Sequence, residues 1–235
     1  MHVISVLKQK GGSGATTIAK SLAVAAQAAG LSVAIVDLDP QASACNWSDR
    51  RQPKNPDQPR IPPTVISIQP ARLEQTLKTA RENGADLVII DAPPRLADAA
   101  MAAAKKADLI LIPARCTVED LETIPSMQSL ITGAGATAKV MVVLNAVPAQ
   151  GAQRRQAEDT IRNYGLPVCP AAFGQRADFT HASILGQTAQ EYNPRGQAAQ
   201  EIEQLYKFTR KLLNTLTQKQ DHTHGKEKSR SVAGA

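Results

Sequence analysis

The segment Lys8–Thr17, KQKGGSGATT, sets Gly11, Gly12 and Gly14 among the hydroxyls of Ser13, Thr16 and Thr17. Glycines without Cβ let backbone N–H groups crowd around an anion, and a helix N-terminus placed behind them adds its dipole to the attraction. The flanks supply that setting, with the apolar run HVISVL before the loop and the alanine-rich IAKSLAVAAQAA after it. The chemistry on offer is phosphate binding. A complete loop of the form G-x-x-x-x-G-K-[ST] places its lysine on the β- and γ-phosphates and its hydroxyl on Mg²⁺. Here Gly14 and Thr16 fall where that pattern wants them, Gln9 stands at the first glycine, and Ala15 stands where the lysine belongs.

Carboxylates follow in two further places. Asp37 and Asp39 lie in VDLDPQAS (36–43) and Asp91 lies in LVIIDAPP (87–94), each at or just past the end of an apolar run of strand length. Ligands of open α/β sheets bind at the carboxyl ends of parallel strands. The three side chains are therefore expected to converge on one Mg²⁺–phosphate site.

The elements that must position these groups alternate along the chain. Strands are expected at 2–7, 32–37, 64–69, 86–91, 108–114 and 139–145, with a short one near PVCPAAF. Helices are expected at about 16–29, 71–83, 95–106, 117–133, 151–163, 176–187 and 195–217. This alternation reads as an α/β fold with a mostly parallel, twisted sheet carrying helices on both faces. Unbroken apolar runs suit strands covered on both sides. The proline-rich, charged stretch 48–63 reads as a long exposed loop, and the polar segment 218–235 as a disordered tail beyond a single domain, 1–217.

Composition narrows the function. The 235 residues are 43% hydrophobic, enough for one sizeable core, and no apolar run approaches the roughly 18 residues of a membrane span. No leader segment is read, and a cytoplasmic protein is expected. Cys45, Cys116 and Cys169 are scattered without a CxxC pair, so neither a disulfide framework nor a zinc site is suggested. Aromatic residues are only 3%, which disfavours a base-stacking platform for single strands. The net charge of +6 gathers in residues 136–235 and points to a polyanion or an acidic partner.

The KGG opening at Lys10, followed by Gly14, Thr16 and Thr17, resembles the deviant Walker A loop of the ParA/MinD family of P-loop ATPases. VDLDPQAS and LVIIDAPP resemble that family's second-strand motif and its Walker B segment, in the same order, so the resemblance runs over about residues 1–217. It is closest to small ParA-type proteins without an N-terminal helix-turn-helix domain. The resemblance implies ATP and Mg²⁺ as cofactors and a homodimer formed on ATP. Lys10 would reach the nucleotide of the other subunit, and Gly11, Gly12, Ser13, Gly14, Ala15, Thr16 and Thr17 would form the phosphate loop. Thr16 and Asp91 would hold Mg²⁺, Asp39 would orient the attacking water beside the metal, and Asn145, ending KVMVVLN, would contact the adenine. It further implies non-specific binding of double-stranded nucleoid DNA and hydrolysis stimulated by a ParB-like adaptor, with no membrane partner. Relatives that position a protein cargo such as a carboxysome or chemoreceptor cluster, or that cycle on membranes like MinD, are the alternatives.

Ala15 removes a cation that would touch the phosphates in a partly desolvated site. A charge-assisted hydrogen bond of that kind is worth about 1.5 to 3 kcal/mol, so weak ATP binding and impaired hydrolysis are expected. The last helical segment carries Ala198, Ile202, Leu205, Leu212 and Leu216 on one stripe, leaving Lys207, Arg210 and Lys211 for a basic outer face. With Arg176, and more weakly Arg154 and Arg155, these are the candidate DNA contacts.

Overall fold

The computed structural model describes residues 1–55, 57–94 and 96–216 in full, and the backbone alone of the last helix beyond them. The expected polar tail, 218–235, therefore lies outside the fully described residues. Strands are β1 (His2–Val6), β2 (Val33–Asp37), β3 (Thr64–Ser67), β4 (Leu87–Asp91), β5 (Leu109–Ala114) and β6 (Lys139–Leu144). Helices are α1 (Ala15–Ala28), α2 (Ser43–Arg51), α3 (Leu73–Glu82), α4 (Ala97–Lys106), α5 (Val118–Leu121), α6 (Ile124–Gly133), α7 (Gln153–Asn163), α8 (Ala177–Ile184), α9 (Ala189–Tyr192) and α10 (Gln197–Val232).

The strands form one sheet in the order β3-β2-β4-β1-β5-β6, every neighbouring pair parallel. Alternate side chains serve opposite faces. Val3, Val36, Val88, Ile90, Ile110 and Val142 pack beneath α3, α4, α6 and α7. Ile4, Ile35, Leu87, Ile89 and Leu111 pack beneath α1, α2 and α10. Burying each such side chain is worth about 1.5 to 3 kcal/mol, and having both faces covered is why the strands read as unbroken apolar runs. On α10 the buried stripe is Ala198, Ile202, Leu205, Thr209 and Leu213, with Leu212 and Leu216 at its margin.

Three expectations about elements are corrected. The segment read as a loop from 48 begins inside α2, a polar helix whose sequence shows little apolar period; Ala44 and Trp47 are its buried residues, with Ser48 beside them. The single helix expected at 117–133 is two, α5 and α6, because Pro125 sits in the first turn of the second, a place proline tolerates where a helix interior would not. The short seventh strand forms only isolated bridges, Val142 with Val168 and Val147 with Gly174. Pro167 opens that run and Pro170 interrupts it, and a residue without an N–H cannot sustain a ladder.

The sheet order brings the functional loops together. β2, β4 and β1 are neighbours, and the register sets Val6 beside Asp91 and Asp91 beside Asp37 in one row across the three strands. Adjacent strands lie about 4.8 Å apart, so the turns leaving their carboxyl ends share one crevice.

Candidate nucleotide site

The glycine loop leaves β1 and turns into α1 through Gly12 (φ 81°) and Gly14 (φ 91°), a left-handed backbone that glycine adopts at little cost. At Gly14 the requirement is doubled, since a Cβ there would lie 1.9 Å from Asn145 Nδ2. A Cβ at Gly11 or Gly12 would meet nothing within 4 Å, so the loop borders open space. The α1 N-terminus has no side-chain cap and no acidic residue in its first turn. Its first N–H groups have no intrahelical partner, which suits them to an anion.

Below the loop, Asp91 is fully buried. Thr16 Oγ1 donates to Asp91 Oδ2 at 2.6 Å. Lys8 Nζ lies 3.4 Å from Asp91 Oδ1 and 3.3 Å from Asp39 Oδ2, with its side chain 8% exposed. Burial pushes the Asp91 carboxyl up to about 6, against the opposing pull of the Lys8 charge and the Thr16 hydrogen bond. Asp39 also accepts the Gln41 N–H at 3.0 Å. Thr16, Asp39 and Asp91 are hard oxygen donors of the kind Mg²⁺ prefers, and a buried carboxylate pair already holding an ammonium is a place that demands a cation. The residues present fit a Mg²⁺–nucleotide.

Asp37 does not join them. Its carboxylate accepts the backbone N–H groups of Asp39 at 3.0 Å, Ala44 at 2.9 Å and Cys45 at 3.3 Å. Burial nevertheless holds its pKa above the ordinary value. Asp37 braces the turn that carries Asp39 and gives hydrogen-bond acceptors to the first turn of α2, so of the three aspartates Asp39 borders the cavity, Asp91 lies buried beneath the loop on Thr16, and Asp37 supports the turn. The same turn holds Ala42 at φ 49°, a left-handed conformation costly for a residue with a Cβ.

A cavity of about 650 Å³ opens over the loop, bounded by Gly11, Gly12, Gly14, Ala15, Thr16 and Thr17 together with Lys8, Lys20, Asp39, Trp47 and Arg50. Lys10 and Asn145 are not among its lining residues. Lys10 is half-buried, and its charge is one of those helping Arg115 hold Asp120 below the usual carboxylate range against burial. Asn145 Nδ2 donates to the Ser13 carbonyl at 2.8 Å. Through this bond it holds the loop from the β6 side.

Sequence reasoning missed Lys8 and Lys20. Lys8 stands two residues beyond β1 and in the sequence reads only as the first residue of the loop segment. Lys20 lies inside an alanine-rich helix, 5% exposed, where Nζ donates to Ser183 Oγ at 2.8 Å and stands 5.7 Å from the Trp47 ring centroid. A lysine amid the apolar residues Ile18, Ala19, Leu22, Ala23 and Val24 of an alanine-rich helix was the available signal.

Of the candidate DNA contacts, Arg176 is held by Glu201 at 2.8 Å, its side chain 29% exposed. Lys207 pairs with Glu203 at 2.7 Å but remains exposed. Arg210 and Lys211 are exposed and have no salt-bridge partner among the described residues. Arg176 is thereby a brace between the segment before α8 and α10, with its charge already matched.

A parallel sheet whose first strand runs through a glycine loop into a helix N-terminus, facing carboxylates at the neighbouring strand ends, defines a P-loop nucleotide-binding protein. The chain belongs to the CobQ/CobB/MinD/ParA nucleotide-binding domain family, whose model matches residues 4–219. It is 31% identical over 209 residues, 88% of its length and 91% of the relative's, to a maintenance of carboxysome distribution protein A from Gloeobacter kilaueensis. It is 28% identical over 149 residues, 53% of its length and 59% of the relative's, to the chromosome-partitioning ATPase Soj of Thermus thermophilus. Its fold matches the septum site-determining protein MinD of Pyrococcus horikoshii, solved with Mg-ADP, at a TM-score of 0.71 and 20% identity, covering 90% of this chain and 97% of that one. This is a ParA/MinD-type ATPase. No helix among the described residues is long and apolar enough to cross a membrane.

Proposed function

We propose that this chain is an ATP-driven positioning ATPase that dimerises on ATP, binds duplex DNA without sequence preference in that state, and lets go after hydrolysis stimulated by a ParB-like adaptor. The observation that supports it best is the joining of Thr16 and Asp91 by a 2.6 Å hydrogen bond beneath an uncapped helix N-terminus and an open glycine loop. In this reading the loop N–H groups from Gly11 to Thr17 bind the phosphates, and Thr16 and Asp91 hold Mg²⁺. A Mg²⁺ ion held there would neutralise phosphate charge during transfer. Asp39 orients the attacking water, and Lys10, outside its own cavity, serves the nucleotide of the second protomer. Asn145 fixes the loop's shape. Ala15 leaves the loop one phosphate contact short, so Ala15→Lys is expected to tighten nucleotide binding.

The DNA-facing cations are Lys207, Arg210 and Lys211, with the matched Arg176 withdrawn from the set. Three such cations on each of two protomers give a log–log salt slope of about −5, at roughly 0.9 per phosphate neutralised. Anisotropy of a labelled random duplex, titrated with the chain and Mg·ATP at several salt concentrations, tests this. Binding that needs ATP and weakens steeply with salt is the expected result; no binding at low salt with ATP would refute the DNA reading.

A second reading, a protein cargo in place of DNA cargo, is favoured by the relative named for carboxysome distribution, which matches 88% of this chain. Both readings share the ATP cycle and the DNA track, and they differ in the adaptor.

A further inference from the structure

We propose that Lys8 is the phosphate-facing cation of this chain and takes the role of the lysine absent at position 15. This rests on the nucleotide reading of the cavity. Lys8 stands two residues beyond β1, at the root of the glycine loop, and its side chain borders the same cavity as Gly11, Gly12, Gly14 and Thr16. Only 8% of that side chain is exposed, and its ammonium is held by Asp39 and Asp91 at 3.3 and 3.4 Å. Taking an ammonium out of water is expensive unless it is paired, so its place between two buried carboxylates is a built position.

The pairing belongs to the ligand-free chain. Asp91 is also the partner of the Thr16 hydroxyl, and the pair Thr16–Asp91 is the hard-oxygen set that a dication would use. A dication there and the Lys8 ammonium cannot share Asp91 without like-charge repulsion. Lys8 therefore exchanges a carboxylate for the phosphate oxygens that the loop N–H groups hold, moving along the cavity wall it already borders.

The other lysines do not fit this part. Lys20 Nζ is engaged by Ser183 Oγ and lies over Trp47, and it makes no ion pair with Asp39 or Asp91 among the described residues. Lys10 is not on the cavity wall. In the ligand-free chain Asp39 and Asp91 are served by Lys8, so the site already holds a cation on the strand side of the loop.

Two measurements on the full chain test this. In the first, the unmodified chain is treated with Mg²⁺ and an acyl-phosphate derivative of ATP. A lysine amine at the terminal phosphate attacks the acyl carbonyl; the amide bond forms, the acyl–phosphate bond breaks, ATP leaves and the amine proton passes to water. Peptide mass spectrometry is expected to find the acyl group on Lys8, competed away by excess ATP. Labelling that spares Lys8 overturns the proposal. In the second, affinity for a fluorescent ATP analogue is measured for the unmodified chain, Lys8→Gln, Ala15→Lys and the double variant. Lys8→Gln is expected to weaken binding roughly ten- to a hundredfold in the unmodified background, the range of one charge-assisted contact, and less than about threefold in the Ala15→Lys background. Equal losses in both backgrounds make Lys8 a structural counter-ion and overturn the proposal. Tight binding by Ala15→Lys with no effect of Lys8→Gln does so while leaving the nucleotide reading intact. Absence of binding in every form removes the nucleotide reading itself.

Discussion

Replacing Lys20 by methionine should stabilise the protein at neutral pH, although it removes a hydrogen bond. Lys20 is buried on α1 with no salt-bridge partner among the described residues, and burial first, then the neighbouring Arg50 charge, lowers its pKa from 10.5 to about 8. The folded state therefore binds fewer protons than the unfolded chain between pH 8 and 10.5. Stability rises with pH through that window, and the full penalty applies below pH 8. A displacement from 10.5 to about 8, at ~1.4 kcal/mol per pH unit, is a penalty of about 3 kcal/mol. Methionine keeps the stem's packing and gives up the Ser183 hydrogen bond and the Trp47 contact, each worth about 1 kcal/mol. The net expectation is a gain of about 1 to 2 kcal/mol at pH 7 that fades toward pH 10.5. Urea unfolding of both chains at pH 7 and pH 9.5 measures it. Cys45 and Cys169, whose thiols burial pushes up to about 11, contribute stability that is lost as pH rises above 9. They do so in both chains, so the difference isolates Lys20. A methionine variant less stable at pH 7, or a difference that does not change with pH, refutes the reasoning.

Three further perturbations probe other parts. Gly14→Ala meets both the left-handed backbone and the Asn145 amide, so it should lower stability by about 1 to 3 kcal/mol and weaken nucleotide binding; adding Asn145→Ala should recover only the steric share, read by thermal melts with and without Mg·ATP. Arg51→Ala should cost about 3 to 5 kcal/mol in urea unfolding, because the 9%-exposed Arg51 forks onto Glu191, lies over Trp47 and ties α2 to α9. Lys211→Ala should reduce the salt slope of DNA binding by about 0.9 per protomer, whereas Arg176→Ala should leave the slope in place and lower the melting temperature instead.

How far the sequence carried these conclusions depended on the range of the interaction. Asp91 and Asp39 were legible because each follows an apolar run, and strand ends are where a parallel sheet presents its ligand groups. The role of Asp37 was not, since its partners Ala44 and Cys45 belong to α2, a helix whose polar sequence shows little apolar period and whose start depends on Asp37 itself. The brace from Asn145 to the Ser13 carbonyl joins residues far apart in sequence, and nothing local to either announces it. Lys20 escaped for the same reason: Ser183 and Trp47, which surround its ammonium, arrive from α8 and α2. Arg176 looked free because Glu201 lies on another helix. Lys8 was hidden by its neighbour, for the loop pattern drew attention to Lys10 and to the gap at Ala15.

The central claim, a nucleotide-driven switch between monomer and dimer, is tested most directly by sedimentation velocity of the full chain and of Ala15→Lys with Mg²⁺ and either ADP or a slowly hydrolysed ATP analogue. The account predicts monomers with ADP and dimers with the ATP analogue, the dimer forming at lower nucleotide concentration for Ala15→Lys. The same species in both nucleotides, for both chains at saturating concentrations, would contradict it.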